Sequence, residues 1–283
     1  MADRIRIAAA QSPVTCDPVA NGKAVRELMV AAHEAGARLV HFPEGAISGC
    51  PGGPEEKRAL AGWAIDWEPV RDQLERTARL AGDLRLWIVV GSSHRLTPPN
   101  RPHNSLYVIS DEGRLTGRYD KRRCSHTEIT GWYSPGFEPL TFDVDGFRFG
   151  GALCIEVNFP ELFAEYRELG VDCVLFSSFS EDPVFDVLAR AHAASHTYWV
   201  STSVPAQLST AMSAGVIGPH GSWLDRCPAD GTAALACVDL DRTDPGLDIA
   251  LNKARPWRGI SRAGQIYEAR RVSDSRSTDR TRF

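Results

Sequence analysis

Apolar and polar positions along the chain repeat with two periods. Short apolar runs at Ile5–Ala10, Leu39–Phe42, Leu86–Gly91 and Ser105–Ser110 end at polar or turn-forming residues, as buried strands do. Between them, Val25, Leu28, Met29, Ala32 and Ala35 recur at helical spacing within Ala20–Gly36, and Gly36 supplies the stop. Val70, Leu74, Ala78 and Ala81 do the same within Glu68–Ala81, while the Gly- and Pro-rich stretch Ile47–Gly62 reads as loop with a short helix. Asp111-Glu112-Gly113 turns the chain into Arg114–Tyr119, and Asp145-Gly146 joins Leu140–Val144 to Phe147–Leu153, the strongest hairpin signal present. Cys173–Ser177 and Tyr198–Val204 flank a helix over Val184–His196. Ala214–Ile217, Ser222–Leu224 and Ala233–Val238 complete the strands, the last after a turn at Ala229-Asp230-Gly231. Strands and helices alternate with hairpins between them, which predicts α/β layers with mixed sheets, and no linker-like segment divides the chain into more than a single domain.

Composition narrows the classes. A chain of 283 residues can bury a full core. A net charge of −4 gives no pull towards nucleic acid or a membrane surface, and no apolar run reaches the ~18 residues of a bilayer span. The opening MADRIRIAAAQ is too short for a secretory leader. Seven scattered cysteines without CxxC spacing fit reduced thiols and a cytoplasmic protein. The chain has no P-loop, no GxGxxG after a strand and no basic–aromatic stripe, so neither nucleotide nor nucleic acid is expected. His192 and His196 stand four apart on one helix face but lack a third ligand and an HExxH glutamate, so they read as packing residues; no metal and no cofactor is expected. Cys124 and His126 read as loop lining.

The stretch FRFGGALCIEVNFPEL, residues 147–162, carries the densest chemistry. A strand stops at Cys154 and a helix opens at Phe159-Pro160-Glu161-Leu162, with Asn158 as cap and Pro160 in the first turn. Cys154 then lies on a tight bend, where free backbone N–H groups are expected to lower its thiol pKa. Glu44 follows the strand ending in Phe42-Pro43, at the strand edge where α/β folds place ligands, and desolvation there suits a carboxylate to proton transfer. Lys121 closes Arg114–Tyr119 in the run GRYDKRRC and offers an ammonium to an oxyanion. Glu128 lies in the polar loop SHTEITGWYSPG, with Trp132 and Tyr133 as pocket walls. A thiol, a base and a cation, each just beyond a different strand, make a nucleophilic set.

Five segments bear a resemblance to the carbon–nitrogen hydrolase family, the nitrilase superfamily, in its amidase-like branch: IRIAAAQ, GARLVHFPEGAISG, HNSLYVISDEGRLTGRYDK, the E-ITGWY-SPG run from Glu128 to Gly136, and GGALCIEVNFPEL. The resemblance runs from Ile5 to about Tyr267. It implies a four-layer α-β-β-α sandwich with two mixed β-sheets and a homodimer or larger homo-oligomer. It also implies a Glu44–Lys121–Cys154 triad with Glu128 as second glutamate and the Ile155 backbone N–H in the oxyanion site. Departures lie outside the triad. Cys50 replaces an aromatic, Ile155-Glu156 replaces an aromatic followed by Asp, ARAHAASH lacks the Glu and Asn of RAxEN, and STSVP lacks an Asn. The implied activity is thiol hydrolysis of a non-peptide C–N bond in a small-molecule amide or carbamoyl compound, with water as second substrate. The alternatives are nitrile hydrolysis by the same triad, or a non-hydrolytic relative that transfers acyl groups or binds a ligand or partner.

Two peripheral features complete the reading. Residues 1–268 form the hydrolase domain and 269–283 a tail, expected at a subunit interface because the Arg-dense stretch from Arg255 carries Trp257 and Tyr267. In SFSEDPVF, Glu181 and Asp182 precede the helix from Val184 either as an anionic pocket rim that selects a cationic substrate or as acidic residues at the helix N-terminus.

Overall fold

The computed structural model describes residues 2–49 and 65–283, so most of the Ile47–Gly62 loop, with Cys50, lies outside the described residues. Strands β1 (Arg4–Gln11), β2 (Leu39–His41), β3 (Trp87–His94), β4 (His103–Ile109), β5 (Leu115–Asp120) and β12 (Ala234–Asp241) form one sheet in the order β12-β1-β2-β3-β4-β5. Strands β6 (Thr141–Val144), β7 (Phe147–Leu153), β8 (Cys173–Ser177), β9 (Trp199–Ser203), β10 (Gly215–Ile217) and β11 (Trp223–Arg226) form the other, in the order β11-β10-β9-β8-β7-β6. The central triplets β1-β2-β3 and β7-β8-β9 are parallel and every flanking strand is antiparallel, so both sheets are mixed.

Side-chain alternation explains the layering. On β1, Ile5, Ile7 and Ala9 point to one cluster with Leu106, Val108, Phe149, Leu175 and Trp199, which is the space between the sheets. Ala8 and Ala10 point the other way, to Val25, Met29 and Ala32 of α1 (Pro18–Glu34) and to Val70 and Ala81 of α2 (Trp67–Leu84). On the second sheet, Val174, Phe176 and Val200 face Leu162, Phe163 and Tyr166 of α3 (Pro160–Glu168) and Phe185, Ala189 and Ala193 of α4 (Val184–His196). The strands therefore read as continuous apolar runs because both faces are covered. The result is the expected α-β-β-α sandwich in a single domain.

Local signals act as their chemistry requires. Asp145 and Gly146 both take positive φ, 48° and 84°, the two-residue turn that suits the twist of the β6–β7 hairpin. One signal misleads. After Leu153 the chain makes a 3-10 turn over Cys154–Asn158, so Phe159, not Asn158, precedes α3, and the Asn158 amide donates instead to the Ile155 carbonyl at 3.2 Å. The turn is favoured because its own glutamate bonds back to the Leu153 N–H, a local contact that competes with an Asn cap.

Beyond α5 (Arg255–Ala263) come two short helices, α6 (Gln265–Glu268) and α7 (Ser275–Thr278). Arg258 and Arg262 donate to the Ala194 and Ser195 carbonyls at the C-terminal end of α4, where a helix attracts cations. The segment from Arg255 thus docks on its own chain, while Trp257, Ile260 and Tyr267 remain exposed. Among the described residues, no helix is long and apolar enough to cross a membrane.

Candidate active site

Four of the singled-out side chains meet at one end of the gap between the sheets. Glu44 leaves β2 through Phe42-Pro43 and is only 2% exposed. Its approach needs Gly91 on β3, because a Cβ there would lie 2.2 Å from the Pro43 carbonyl oxygen. Glu44 Oε1 accepts from Asn104 Nδ2 at 2.7 Å and from Lys121 Nζ at 3.1 Å, and Oε2 accepts from the Phe179 N–H at 2.8 Å. Lys121 leaves β5, is 1% exposed, and places Nζ 2.7 Å from Glu128 Oε1. Glu128 sits on a single wide helical turn, Glu128–Trp132, and its Oε2 accepts from the Ser125 N–H at 2.7 Å. Gly136 closes that loop against β5, where a Cβ would meet the Asp120 carbonyl oxygen at 2.3 Å and where its N–H donates to Lys121 O.

Charge balance fixes the protonation states. Burial alone pulls the Lys121 ammonium down, but Glu44, Cys154 and Glu128 around it hold its pKa well above the ordinary lysine value. Burial likewise opposes ionisation of Glu128, and Lys121 overrides it, so the Glu128 carboxylate titrates below its usual range.

Cys154 takes φ +49° at the end of β7, a left-handed backbone that costs a non-glycine residue about 1–3 kcal/mol and turns its thiol towards the cluster. The expectation of a lowered thiol pKa is corrected here. Burial first and Glu44 second push the thiol up to about 12, against the opposing pull of Lys121. The bend opens a 3-10 turn and not a long helix, so no strong helix dipole offsets the desolvation. The S–H donates to the Phe179 carbonyl at 3.8 Å, so the backbone of one residue touches the thiol with its C=O and Glu44 with its N–H.

A cavity of about 220 Å³ opens on this cluster. Trp132, Tyr133, Phe179 and Phe185 give it apolar walls, and Cys154 and Ile155 lie at its surface. Glu181 and Asp182 are absent from its lining: Asp182 Oδ1 accepts from the Val184 N–H at 3.0 Å, capping the start of α4. Three contributors carried no distinctive signal in the sequence: Asn104, Ser125 and the Phe179 peptide. Asn104 alone offered a hint, a polar residue inside the apolar strand β4 that proves 3% exposed.

The histidines on α4 serve packing. His192 Nε2 donates to the Val157 carbonyl at 2.8 Å and its ring stacks on Phe163 with centroids 3.8 Å apart. Burial lowers the pKa of both His192 and His196, the latter to about 4. Cys124 lies half-buried beside the site with its thiol pushed up to about 12, also chiefly by burial.

The family model for carbon–nitrogen hydrolases matches residues 6–246. Deaminated glutathione amidase of Mus musculus is 26% identical over 258 residues, covering 83% of this chain and 77% of that protein. Saccharomyces cerevisiae Nit3, a member of branch 10 of the nitrilase superfamily, superposes with a TM-score of 0.74 at 21% identity, covering 90% of this chain and 96% of that one. An amidase mutant from Nesterenkonia sp. AN1 superposes with a TM-score of 0.72 at 19% identity over 89% of this chain and 96% of its own. That mutant carries the acetamide moiety of fluoroacetamide covalently added at its active-site cysteine.

Proposed function

The chain belongs to the carbon–nitrogen hydrolase family of the nitrilase superfamily, amidase-type, and from that premise we propose that it cleaves a small-molecule amide through a thioester on Cys154. The observation that carries the reading is the backbone of Phe179, whose C=O accepts from the Cys154 thiol and whose N–H donates to the Glu44 carboxylate, beside a buried ammonium. A thiol with its pKa near 12 keeps its proton at neutral pH, so no thiolate waits in the free protein. Glu44 accepts the thiol proton as sulfur attacks the amide carbon, a concerted general-base step. The C=O electrons move to oxygen, and the oxyanion is held by the Lys121 ammonium and the Ile155 N–H. Glu44 then returns the proton to nitrogen, the C–N bond breaks, and ammonia or an amine leaves. Water, losing its proton to Glu44, attacks the thioester; the acid departs and the sulfur is reprotonated. Glu128 takes no proton: its hydrogen bond holds Lys121 in place.

The aromatic walls and the size of the cavity suit a compact acyl group, and the acetamide moiety on the cysteine of the Nesterenkonia amidase mutant marks that cysteine as a nucleophile, by alkylation and not through a thioester. The test is ammonia release from a panel of small amides and nitriles, with wild type beside Cys154→Ala. We expect turnover of amides by the wild type and none by the variant. Ammonia release that survives in Cys154→Ala, or a wild type that binds these compounds and releases none, would overturn the reading.

A further inference from the structure

Glu156 is a buried acidic residue that the proposed reaction does not use, and burial raises its pKa above the usual carboxyl value. It follows the nucleophile by two residues, is 0% exposed, and faces no salt-bridge partner among the described residues. Burying a carboxylate in this way is costly unless donors surround it, and four do. Its Oε1 accepts from the Arg122 N–H at 2.7 Å and the Arg123 N–H at 2.9 Å, and its Oε2 from the Leu153 N–H at 2.7 Å. The Tyr119 hydroxyl reaches both oxygens at 2.8 Å.

Those donors come from two separate places in the chain. Tyr119, Arg122 and Arg123 bracket Lys121, whereas Leu153 immediately precedes Cys154. Side chains two apart on a strand share a face, so Tyr119 fixes the face from which Lys121 also projects. We propose that Glu156 is a positioning residue: one buried carboxylate locks the bend that carries Cys154 onto the loop that carries Lys121. The assignment rests on the Cys154 and Lys121 roles proposed above. It also accounts for a glutamate rather than an apolar residue here, since an apolar side chain would orphan the buried N–H groups of Arg122 and Leu153 and the half-buried one of Arg123. A glutamine would turn one NH2 towards N–H donors and break the clasp on one side.

The experiment compares wild type, Glu156→Gln and Tyr119→Phe, each checked for a native circular-dichroism spectrum at the assay temperature. Amide turnover per folded molecule is measured alongside the rate of Cys154 alkylation by iodoacetamide, which needs no amide substrate. Misplacing two reacting groups by about 1 Å costs on the order of 100-fold. Glu156→Gln should therefore lose about 10- to 100-fold in kcat with KM within about threefold, and its Cys154 alkylation rate should change as well. Tyr119→Phe removes one donor and should show a smaller loss of the same kind. A folded Glu156→Gln with wild-type kcat and alkylation overturns the positioning role. If Glu156→Gln does not fold, a Tyr119→Phe with unaltered kcat and alkylation overturns it instead. Turnover that survives in Cys154→Ala points elsewhere, to failure of the nucleophile assignment.

Discussion

In the first sheet, β2 ends in Phe42-Pro43 and delivers Glu44; in the second, β7 ends in Leu153 and delivers Cys154. Both exits leave a strand of a parallel triplet, β2 at its centre and β7 at its edge, and they are held very differently. Glu44 is clasped by three donors, from Asn104, Lys121 and the Phe179 peptide, the last belonging to the opposite sheet. Cys154 leaves its strand through a left-handed residue, and its thiol makes a single long contact with the Phe179 carbonyl. In the mechanism proposed above, the base and cation are thus set before reaction, while the sulfur has little to give up when it moves to carbon. Preorganised charge on one sheet and a lightly bonded nucleophile on the other is the division that electrostatic catalysis favours.

The comparison is broken most severely at Lys121, which ties the first sheet's Glu44 to the Glu128 loop. Lys121→Met keeps the length of the side chain and removes the charge. We expect a loss of roughly 3 kcal/mol or more in transition-state stabilisation, the scale for losing one oxyanion donor. Steady-state kinetics on an amide that the wild type hydrolyses would show kcat lower by about 100-fold or more. A loss of tenfold or less would mean that the buried ammonium only neutralises its two carboxylates.

The sequence was a good guide to the sheets and a partial guide to the exits. Strand limits followed from local chemistry, as at Asp145-Gly146, where the turn requires its residues, and over Cys173–Ser177, an apolar run buried on both faces. The convergence of Glu44, Lys121, Glu128 and Cys154 was legible through the resemblance and through their places beyond strands. What stayed hidden is non-local. Three consecutive basic residues, Lys121-Arg122-Arg123, look alike in sequence, yet the first is buried among carboxylates and the last is exposed. The raised Cys154 pKa arises first from burial that no local pattern encodes, and then from Glu44, 110 positions away in the chain. Asn104 and Glu156 gain their meaning only when β4 and β5 meet the nucleophile bend.

A second break tests how the sheets are joined. His41, on β2, is fully buried and reaches into the second sheet, with Nε2 2.7 Å from Ser177 Oγ and Nδ1 3.1 Å from Ser201 Oγ. Because the Ser177 hydroxyl donates to the Phe42 carbonyl, it accepts from Nε2–H, which leaves Nδ1 to accept from Ser201. The joint requires the neutral ring, and burial depresses the His41 pKa to about 3. Since the folded pKa is depressed, the unfolded chain takes up this proton first, below its ordinary value of about 6.5. Stability is therefore undiminished above that value and is lost as pH falls towards about 3, by up to about 1.4 kcal/mol per pH unit. Urea unfolding at pH 6.5 and pH 5 should show wild type losing about 1.6 kcal/mol more than His41→Val over that interval. Parallel pH dependences would mean that His41 is not the joint that acid opens; His192 and His196, also depressed by burial, would then be the groups to examine.

The smallest expected effect lies at the edge of the second sheet's exit, in the loop between β8 and α4. Glu181 and Asp182 put two carboxylates near the cavity in sequence, and a cationic substrate would follow if they formed its rim. The geometry favours the other role for Asp182, whose Oδ1 accepts from the Val184 N–H while its own N–H donates to the Ser180 hydroxyl oxygen. Both residues are exposed, and the cavity is lined instead by Phe179, Ser180 and Phe185 on either side of them. Asp182→Ala should then cost about 1 kcal/mol of stability, the typical worth of such a cap. Glu181→Gln should alter stability by no more than about 0.5 kcal/mol, as for an exposed substitution. Neither variant should change KM for a cationic amide relative to a neutral amide of like size by more than about twofold. A several-fold rise in KM for the cationic amide alone, in Glu181→Gln, would restore the anionic rim. It would also make this loop, which already supplies the Phe179 backbone to thiol and base, the part of the second sheet that chooses the substrate.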